Sequence, residues 1–217
     1  MAIVTNSYLG NFRGKIGNMV IYPLNGQTVA RSIGISHKPI TINQLTARMG
    51  LKMMNVFFRN IKAFIRIGFE LEARGTTSNA FNMAIRYNSK KIKGVYPDIE
   101  IDFEQILVSK GVMPVVKNAK AKIITTGLKV SWDSQADQKG MRADDQVLLL
   151  VYFPGDRLKT RIFTSEVRRA EGKYTFKLDR DATMRHAHIY LSFISDNCKS
   201  ISDSLYLGEV SWDNALK

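Results

Sequence analysis

Seven short strand-like segments follow one another in the C-terminal half of the chain, and they constrain the fold more than any other feature. Turn-like stretches such as "PGDR" and "AEGK" separate them. The segments read "AKIIT", "LKVSW", "QVLLLVYF", "KTRIFTS", "YTFKL", "AHIYLSFIS" and "SLYLGEVSW". Seven short strands in succession predict a two-sheet β-sandwich. We therefore expect a β-sandwich module over residues 119–217.

The sandwich segment has features of known all-β modules. Trp132 is predicted to point inward from "LKVSW", "HIYLSF" forms a later strand, and the single cysteine excludes an intrachain disulfide. This combination resembles the fibronectin type III or immunoglobulin-like group. The resemblance implies a role in interaction or scaffolding, without catalysis.

Positive charge is concentrated in the other half of the chain. The 217 residues carry a net charge of +13. Residues 1–117 hold 16 basic and 6 acidic side chains, against 16 and 13 in residues 118–217. Glycine, proline and asparagine interrupt regular structure between the halves, so a linker is predicted over residues 109–120, after a basic module of residues 1–115. The excess charge favours an anionic partner such as nucleic acid.

The basic module begins with a glycine-rich stretch, "LGNFRGKIGNMVIYPLNGQTVARSIG". Its glycines do not have Walker-loop spacing, and Asn25-Gly26 between apolar runs predicts a tight hairpin turn. Because Pro23 gives no ladder donor, its strand is predicted to be an edge or to end there, with the turn widened to include Leu24. Three cations in this stretch are candidate anion-binding residues: Arg13, Lys15 and Arg31.

The next segment, "KPITINQLTARMGLKMMNVFFRNIKAFIRIG", has the period of one amphipathic helix of about 25 residues that ends near Gly68. Thr41 and Gln44 have capping-box spacing at its start. When the segment is drawn as a helical wheel with about 100° per residue, five cations lie within roughly 40° of one radial direction, and Asn55 lies among them. We call these five the helix stripe: Arg48, Lys52, Arg59, Lys62 and Arg66. The opposite arc holds the predicted core residues Met49, Met53, Val56, Phe57, Ile61, Phe64 and Ile65.

The helix stripe has two main interpretations. In the first interpretation, it is a solvated face over a buried apolar one, as most charged helix faces are. Alternatively it contacts a polyanion, because no interleaved acids neutralise cations that otherwise repel one another. An acidic protein or a membrane surface is a further alternative, and the membrane is the weaker one because the core is expected to use the apolar arc.

A second helix is predicted over "TSNAFNMAIRYN", capped by Thr77 or Ser78 and stopped by Gly94 after a lysine cluster. The segment "DIEIDFEQILVS" then alternates like a half-buried strand with an acidic outer face. Its acids, Glu100, Asp102 and Glu104, are expected to pair with Lys90, Lys91 and Lys93. This pairing is favoured over a separate nucleic-acid patch.

Residues suited to catalysis or metal binding are few. His186 and His188 share a strand face, yet no nearby cluster of Cys, His or carboxylates completes a metal site. Cys198 has no activating histidine in its own segment. We therefore predict no enzyme, no metal, no cofactor and no small-molecule substrate. No secretory signal or membrane span is recognisable, which predicts a cytoplasmic protein.

Several motifs together resemble one protein family along nearly the whole chain. They are "GNFRGKIGNMVIY" followed by "ARS", then "QLTARM", "YPDIEIDFEQILVSKG", "FISDN" and "SLYLGEVSW". The chain is identified by them as a member of an uncharacterised family common in Bacteroidota. The resemblance implies one unit of conserved length, and it implies no activity, cofactor or catalytic residue.

The sequence as a whole predicts a non-catalytic binding protein of the α+β class. Its N-terminal hairpin-plus-helices module would contact a polyanion such as nucleic acid, and its C-terminal module would be the immunoglobulin- or fibronectin III-like sandwich. The alternative is a self-assembling structural or scaffold protein, in which edge strands and the glycine-rich N-terminus pair with neighbouring subunits or another protein.

Overall fold

A computed structural model describes residues 2–4, 13–24, 26–35, 38–135, 138–154, 160–177 and 186–211. These residues contain three α-helices and many antiparallel strands in open sheets, which confirms the predicted α+β class. The chain divides into two compact units, residues 1–41 and residues 42–217.

The first unit is a four-stranded antiparallel sheet with the strand order β1-β4-β3-β2. Its strands are β1 (Ala2–Val4), β2 (Gly14–Ile16), β3 (Met19–Leu24) and β4 (Gln27–Ser32). The predicted hairpin is confirmed, because Leu24 pairs with Gln27 and Gly26 has a φ of 79°. Asn25 itself lies outside the described residues.

The expectations for Pro23 were wrong. β3 is flanked by strands on both sides, and Leu24 belongs to the strand rather than to a widened turn. The described pairing of β3 with β2 covers Met19 to Ile21, and Pro23 pairs with Thr28 of β4.

Three helices open the second unit: α1 (Ile42–Asn60), α2 (Lys62–Ala73) and α3 (Ala80–Asn88). Asn79 caps α3 in place of the predicted Thr77 or Ser78, because its side-chain oxygen accepts from the Asn82 N–H at 2.8 Å. A short hairpin follows, made of β5 (Ile92–Val95) and β6 (Asp98–Ile101). Gly94 does not stop a helix. It lies in β5 with a φ of 81°.

All seven predicted strands of the C-terminal half are present. They are β7 (Lys120–Ile124), β8 (Gly127–Ser131), β9 (Gln146–Tyr152), β10 (Arg161–Arg168), β11 (Lys173–Lys177), β12 (His186–Ile194) and β13 (Leu205–Ser211). They form a three-stranded sheet of order β11-β8-β7 and a four-stranded sheet of order β10-β9-β12-β13.

The four-stranded sheet is buried on both faces. Alternate residues on one face, among them Leu149 and Phe193, form a core with Leu128, Val130 and Trp132 from the three-stranded sheet or its end. Residues of the other face contribute to a second core with the helices: Leu148, Leu150, Tyr152, Tyr190 and Ile194. The second unit therefore has three layers, in the order three-stranded sheet, four-stranded sheet, helices.

The division into units differs from the predicted boundary at residues 115–119. The segment predicted as a linker is tied to the chain near residue 203: Lys110 pairs with Asp203 at 2.6 Å, and the Gly111 N–H donates to the same carboxylate at 2.9 Å. Aromatic residues of α1 also pack on the four-stranded sheet, with the Phe57 and Tyr152 ring centroids 4.7 Å apart. The helices consequently pack with the C-terminal strands.

Candidate functional site

The helix stripe lies on exposed surface. All five of its side chains are exposed, and none of them makes an ion pair or hydrogen bond within the described part of the chain. Arg48, Lys52 and Arg59 lie on α1, whereas Lys62 and Arg66 lie on α2. The first acid beyond them, Glu70, is also exposed and makes no ion pair with Arg66. The positive charge of this surface is therefore not neutralised locally.

The prediction of one uninterrupted helix was wrong. Ile61 has φ −112° and ψ 25°, outside the helical range, and it separates α1 from α2. The buried positions nevertheless keep the helical period across this break, at Met54, Phe57, Ile61, Phe64 and Ile65. The core thus determines which side faces inward on both helices, and the cations stay on the outer side of each.

Gly68 does not end the helix either, because α2 continues to Ala73. Its carbonyl accepts from the Lys110 N–H at 3.0 Å, and a Cβ at this position would meet the carbonyl of Val108. Gly68 therefore allows the 108–110 segment to approach α2 closely.

The predicted apolar arc is buried in most positions. Phe57, Ile61, Phe64 and Ile65 belong to the helix–sheet core. Met49 and Met53 are half-buried. Val56 is 53% exposed, which contradicts its predicted burial. It lies at the margin of the arc beside the helix stripe.

The three N-terminal cations are also exposed, on the sheet of the first unit. Lys15 and Arg31 both pair with Val20, from opposite sides, so the two cations share one face of that sheet. Arg31 lies 5.7 Å from the centroid of the Tyr22 ring on the same face, in a cation–π contact. Arg13 directly precedes β2. This face combines two cations with an aromatic ring.

The predicted neutralisation of the lysine cluster is confirmed at one position. Lys93 and Asp102 form an ion pair at 3.0 Å, whereas Lys90 makes no described ion pair. Asp102 is buried, so it does not belong to an exposed acidic face as predicted. Burial of this carboxylate explains why it takes a cation as partner.

His188 lies in an aromatic pocket at the edge of the helix–sheet core. Its ring stacks on Phe103 with 3.9 Å between centroids, and its Nδ1 lies 3.0 Å from the Tyr206 hydroxyl. Burial lowers the pKa of His188, and this effect outweighs the opposing influence of Glu209. His186 on the same strand is exposed and lies 3.6 Å from Glu209. The two histidines therefore have different environments.

The lowered pKa predicts how stability depends on pH. Above pH about 6.5 the histidine is neutral in both the folded and the unfolded chain, so its contribution is unchanged. As pH falls below that value, the unfolded chain binds a proton that the folded chain resists, and the free energy of unfolding decreases. Urea denaturation at about pH 7.5 and about pH 5.5 is expected to show a larger loss in the wild type than in His188→Gln. An equal loss in both would contradict this assignment.

Sequence reasoning missed a buried ion pair in the C-terminal half of the chain. Arg169 and Asp145 have fully buried side chains, and the Arg169 Nε donates to Asp145 Oδ2 at 3.1 Å. The guanidinium lies 4.1 Å from the centroid of the Phe193 ring. No pattern in the sequence distinguishes Arg169 from the exposed arginines, because its burial depends on contacts distant in sequence.

The described residues contain no group of three or more His, Cys, Asp or Glu side chains that could hold a metal ion. Cys198 is exposed and has a φ of 55°. Within the described ranges, no helix is long and apolar enough to cross a membrane. The cytoplasmic location stays a prediction.

The fold and surface define an α+β protein with two compact units and exposed, unpaired cations on its helices. The chain belongs to a family of unknown function, DUF6266, whose sequence profile matches residues 11–208. This confirms the predicted membership of an uncharacterised family along nearly the whole chain, and the distribution in Bacteroidota stays a prediction. No curated protein and no solved structure matches the chain.

Proposed function

We propose that this protein is a non-catalytic nucleic-acid-binding protein and that the helix stripe contacts the phosphate backbone. The observation that carries the proposal is the exposure of five cations on adjacent helices with no described acidic partner. These like charges repel one another in the free protein, and bound phosphates neutralise them.

The N-terminal sheet supports the same function. Lys15 and Arg31 add positive charge on one face, and Tyr22 beside them offers a ring on which a base can stack. Arg13 adds a third exposed cation directly before β2. We assign these three cations an accessory role in backbone contact.

The C-terminal strands are proposed to form a fibronectin III-like scaffold for this surface. The division of seven strands into sheets of three and four supports this proposal, as does the apolar core between the sheets. Trp132 is buried in that core, as predicted, with its ring centroid 5.8 Å from that of Phe193.

The proposal predicts that the helix stripe binds DNA with an affinity that depends on salt. We expect wild-type affinity for duplex DNA, measured by fluorescence anisotropy, to fall roughly 10²- to 10³-fold between about 50 and 200 mM salt if about five phosphates are contacted. Replacing all five stripe residues by Gln is expected to remove these contacts, which together contribute about 4 to 5 to the slope of log K against log salt for a duplex bound at the stripe.

A matched control removes the same charge elsewhere. Five other exposed cations serve for this purpose: Arg74, Arg86, Lys90, Lys139 and Arg142. Their replacement by Gln is expected to leave the slope close to that of the wild type. Equal losses in the two variants would show that net charge alone governs binding and would refute the stripe as a site.

Self-association is the second candidate function. It is favoured by exposed large apolar side chains concentrated in the N-terminal part of the chain. They include Ile16, Met19, Leu24, Ile33, Ile35, Ile40, Ile42, Leu51 and Val56. Light scattering over a range of concentrations tests this candidate: a mass that rises with concentration, together with no affinity for nucleic acid, would favour it over the first.

A further inference from the structure

The three-stranded sheet has two chemically different faces. Leu128 and Val130 of β8 are buried in the sandwich core, together with Phe176 of β11. Because side chains alternate along a strand, the residues between them point to the outer face. The strand pairing identifies which residues share that face.

The outer face carries five lysines. In register, Lys122 of β7 pairs directly with Lys129 of β8, while Lys120 and Lys173 flank Ser131 from opposite sides. Lys177 pairs with Gly127 at the other end of β8. We call this set the lysine face: Lys120, Lys122, Lys129, Lys173 and Lys177.

No acid interrupts the lysine face. The other residues at its paired positions are Ile124, Gly127, Ser131 and Thr175. All five lysines are exposed, and none has a described ion pair or hydrogen bond. Neighbouring positions lie about 4.8 Å apart across strands and about 6.7 Å apart along a strand, so the ammonium groups are crowded. Like charges directly opposite each other destabilise a sheet, and an anionic partner removes that repulsion.

The chemistry of the face favours a nucleic-acid duplex over other anions. It has no aromatic ring on which unpaired bases could stack, which disfavours single strands. Ile124 is its one large apolar side chain among the described residues, which disfavours insertion into a lipid surface. Lysines act as point charges and suit phosphate oxygens, whereas reading of bases by bidentate contacts needs arginine or amide side chains.

We propose that the lysine face is a second surface for duplex DNA, which binds the phosphate backbone without reading the bases. The choice of nucleic acid rests on the proposed function, whereas the site itself rests on the strand register. The three-stranded sheet and the helices are the two outer layers of the second unit, on opposite sides of the four-stranded sheet. One copy can therefore bridge two duplexes, one on the lysine face and one on the helix stripe.

The test uses the full chain and two duplex DNAs labelled with a donor and an acceptor fluorophore. Wild-type protein is expected to bind DNA and to bring the two labels together. A variant with all five lysines of the face replaced by Gln is expected to retain salt-dependent binding of one duplex through the helix stripe and to lose the energy transfer. Its melting temperature is expected to equal or exceed that of the wild type, because repulsion is removed.

The helix-stripe variant separates this proposal from the proposed function. If both hold, that variant also binds without bridging, and the variant lacking both surfaces does not bind. If only the lysine face binds DNA, the stripe variant behaves like the wild type and the lysine-face variant loses binding. Bridging that persists unchanged in the lysine-face variant would overturn the proposal and leave the proposed function standing.

Two further arms complete the test. Lys122→Gln with Lys129→Gln alone is expected to reduce by about 2 the salt slope for binding of the second duplex, followed by the energy transfer, which keeps the proposal testable if the fivefold variant does not fold. Vesicles containing phosphatidylserine serve as the competing anionic surface. Loss of vesicle binding in the lysine-face variant, with the bridging of the two duplexes intact, would refute the duplex as the occupant.

Discussion

Replacement of Asp145 by Asn is expected to lower the free energy of unfolding by about 3–5 kcal/mol, because it leaves the Arg169 guanidinium buried without its counter-charge. Both side chains are completely buried, and Asp145 Oδ2 accepts from Arg169 Nε and from the Arg142 N–H, the latter at 2.9 Å. Asn retains an oxygen for the Arg142 N–H, so the change isolates the charge. Urea denaturation of both proteins measures the effect.

The double variant is the informative control. Arg169→Met fills similar space beside Phe193 and removes the cation. Combined with Asp145→Asn, it is expected to be more stable than either single variant, because no charge is then left unpaired in the core. Additive losses in the double variant would mean that the two side chains do not stabilise each other as a pair.

Phe57→Ala is the second change expected to have a large effect, a loss of about 3–5 kcal/mol. Phe57 is 1% exposed and joins α1 to the four-stranded sheet. Its ring centroid lies 5.0 Å from that of Phe58, 5.7 Å from Phe103 and 4.7 Å from Tyr152. Truncation leaves a cavity between the helical layer and the sheet, and its cost is measured by denaturation followed by circular dichroism.

Val56→Ala on the same helix is the matched control, since Val56 is 53% exposed. It is expected to change stability by no more than about 0.5 kcal/mol. The Phe57 variant also tests whether the helical layer and the sheets unfold together. The circular-dichroism signals of helix and strand are expected to be lost in one transition. If the strand signal kept its wild-type midpoint while the helix signal shifted, the helices and the two C-terminal sheets would be separate folding units.

The strands of the C-terminal half could be predicted well from sequence because their signal is local. A strand alternates with period two, and a turn punctuates it within a few residues. For "YTFKL" and "LKVSW" this information was sufficient to place β11 and β8. The same alternation places Lys173 and Lys177 on the face of the strand opposite Phe176, because each lies an odd number of residues from it. The lysine face itself becomes visible only when the register places Lys122 opposite Lys129.

The helical segment shows where a local pattern misleads. The outward direction of the cations follows from periodicity, and the exposure of all five agrees with it. The break at Ile61 does not follow from periodicity, because the apolar positions keep the same phase through it. Gly68 resembled a helix stop by composition, yet it is a position where another segment approaches the helix too closely for a Cβ.

The predicted domain boundary differs from the division into compact units for a related reason. Glycine, proline and asparagine in residues 109–120 are typical of a linker, and the segment does lack strands and helices before Lys120. Its connections are to residues about 90 positions later, through Asp203 and Ser202. The Ser109 hydroxyl donates to the Ser202 carbonyl at 2.9 Å, a contact that no local composition can indicate.

By itself the sequence determined the α+β class, the seven C-terminal strands, the hairpin at Gly26 and the outward cations of the helices, because periodicity and turn chemistry act over a few residues. Only the tertiary structure determined which segments and side chains pack against one another. It packed the helices on the four-stranded sheet, buried Arg169 with Asp145, and gathered five lysines from three strands on one face. The reason is that burial and register depend on contacts between distant segments, whose free energy is shared by the whole core.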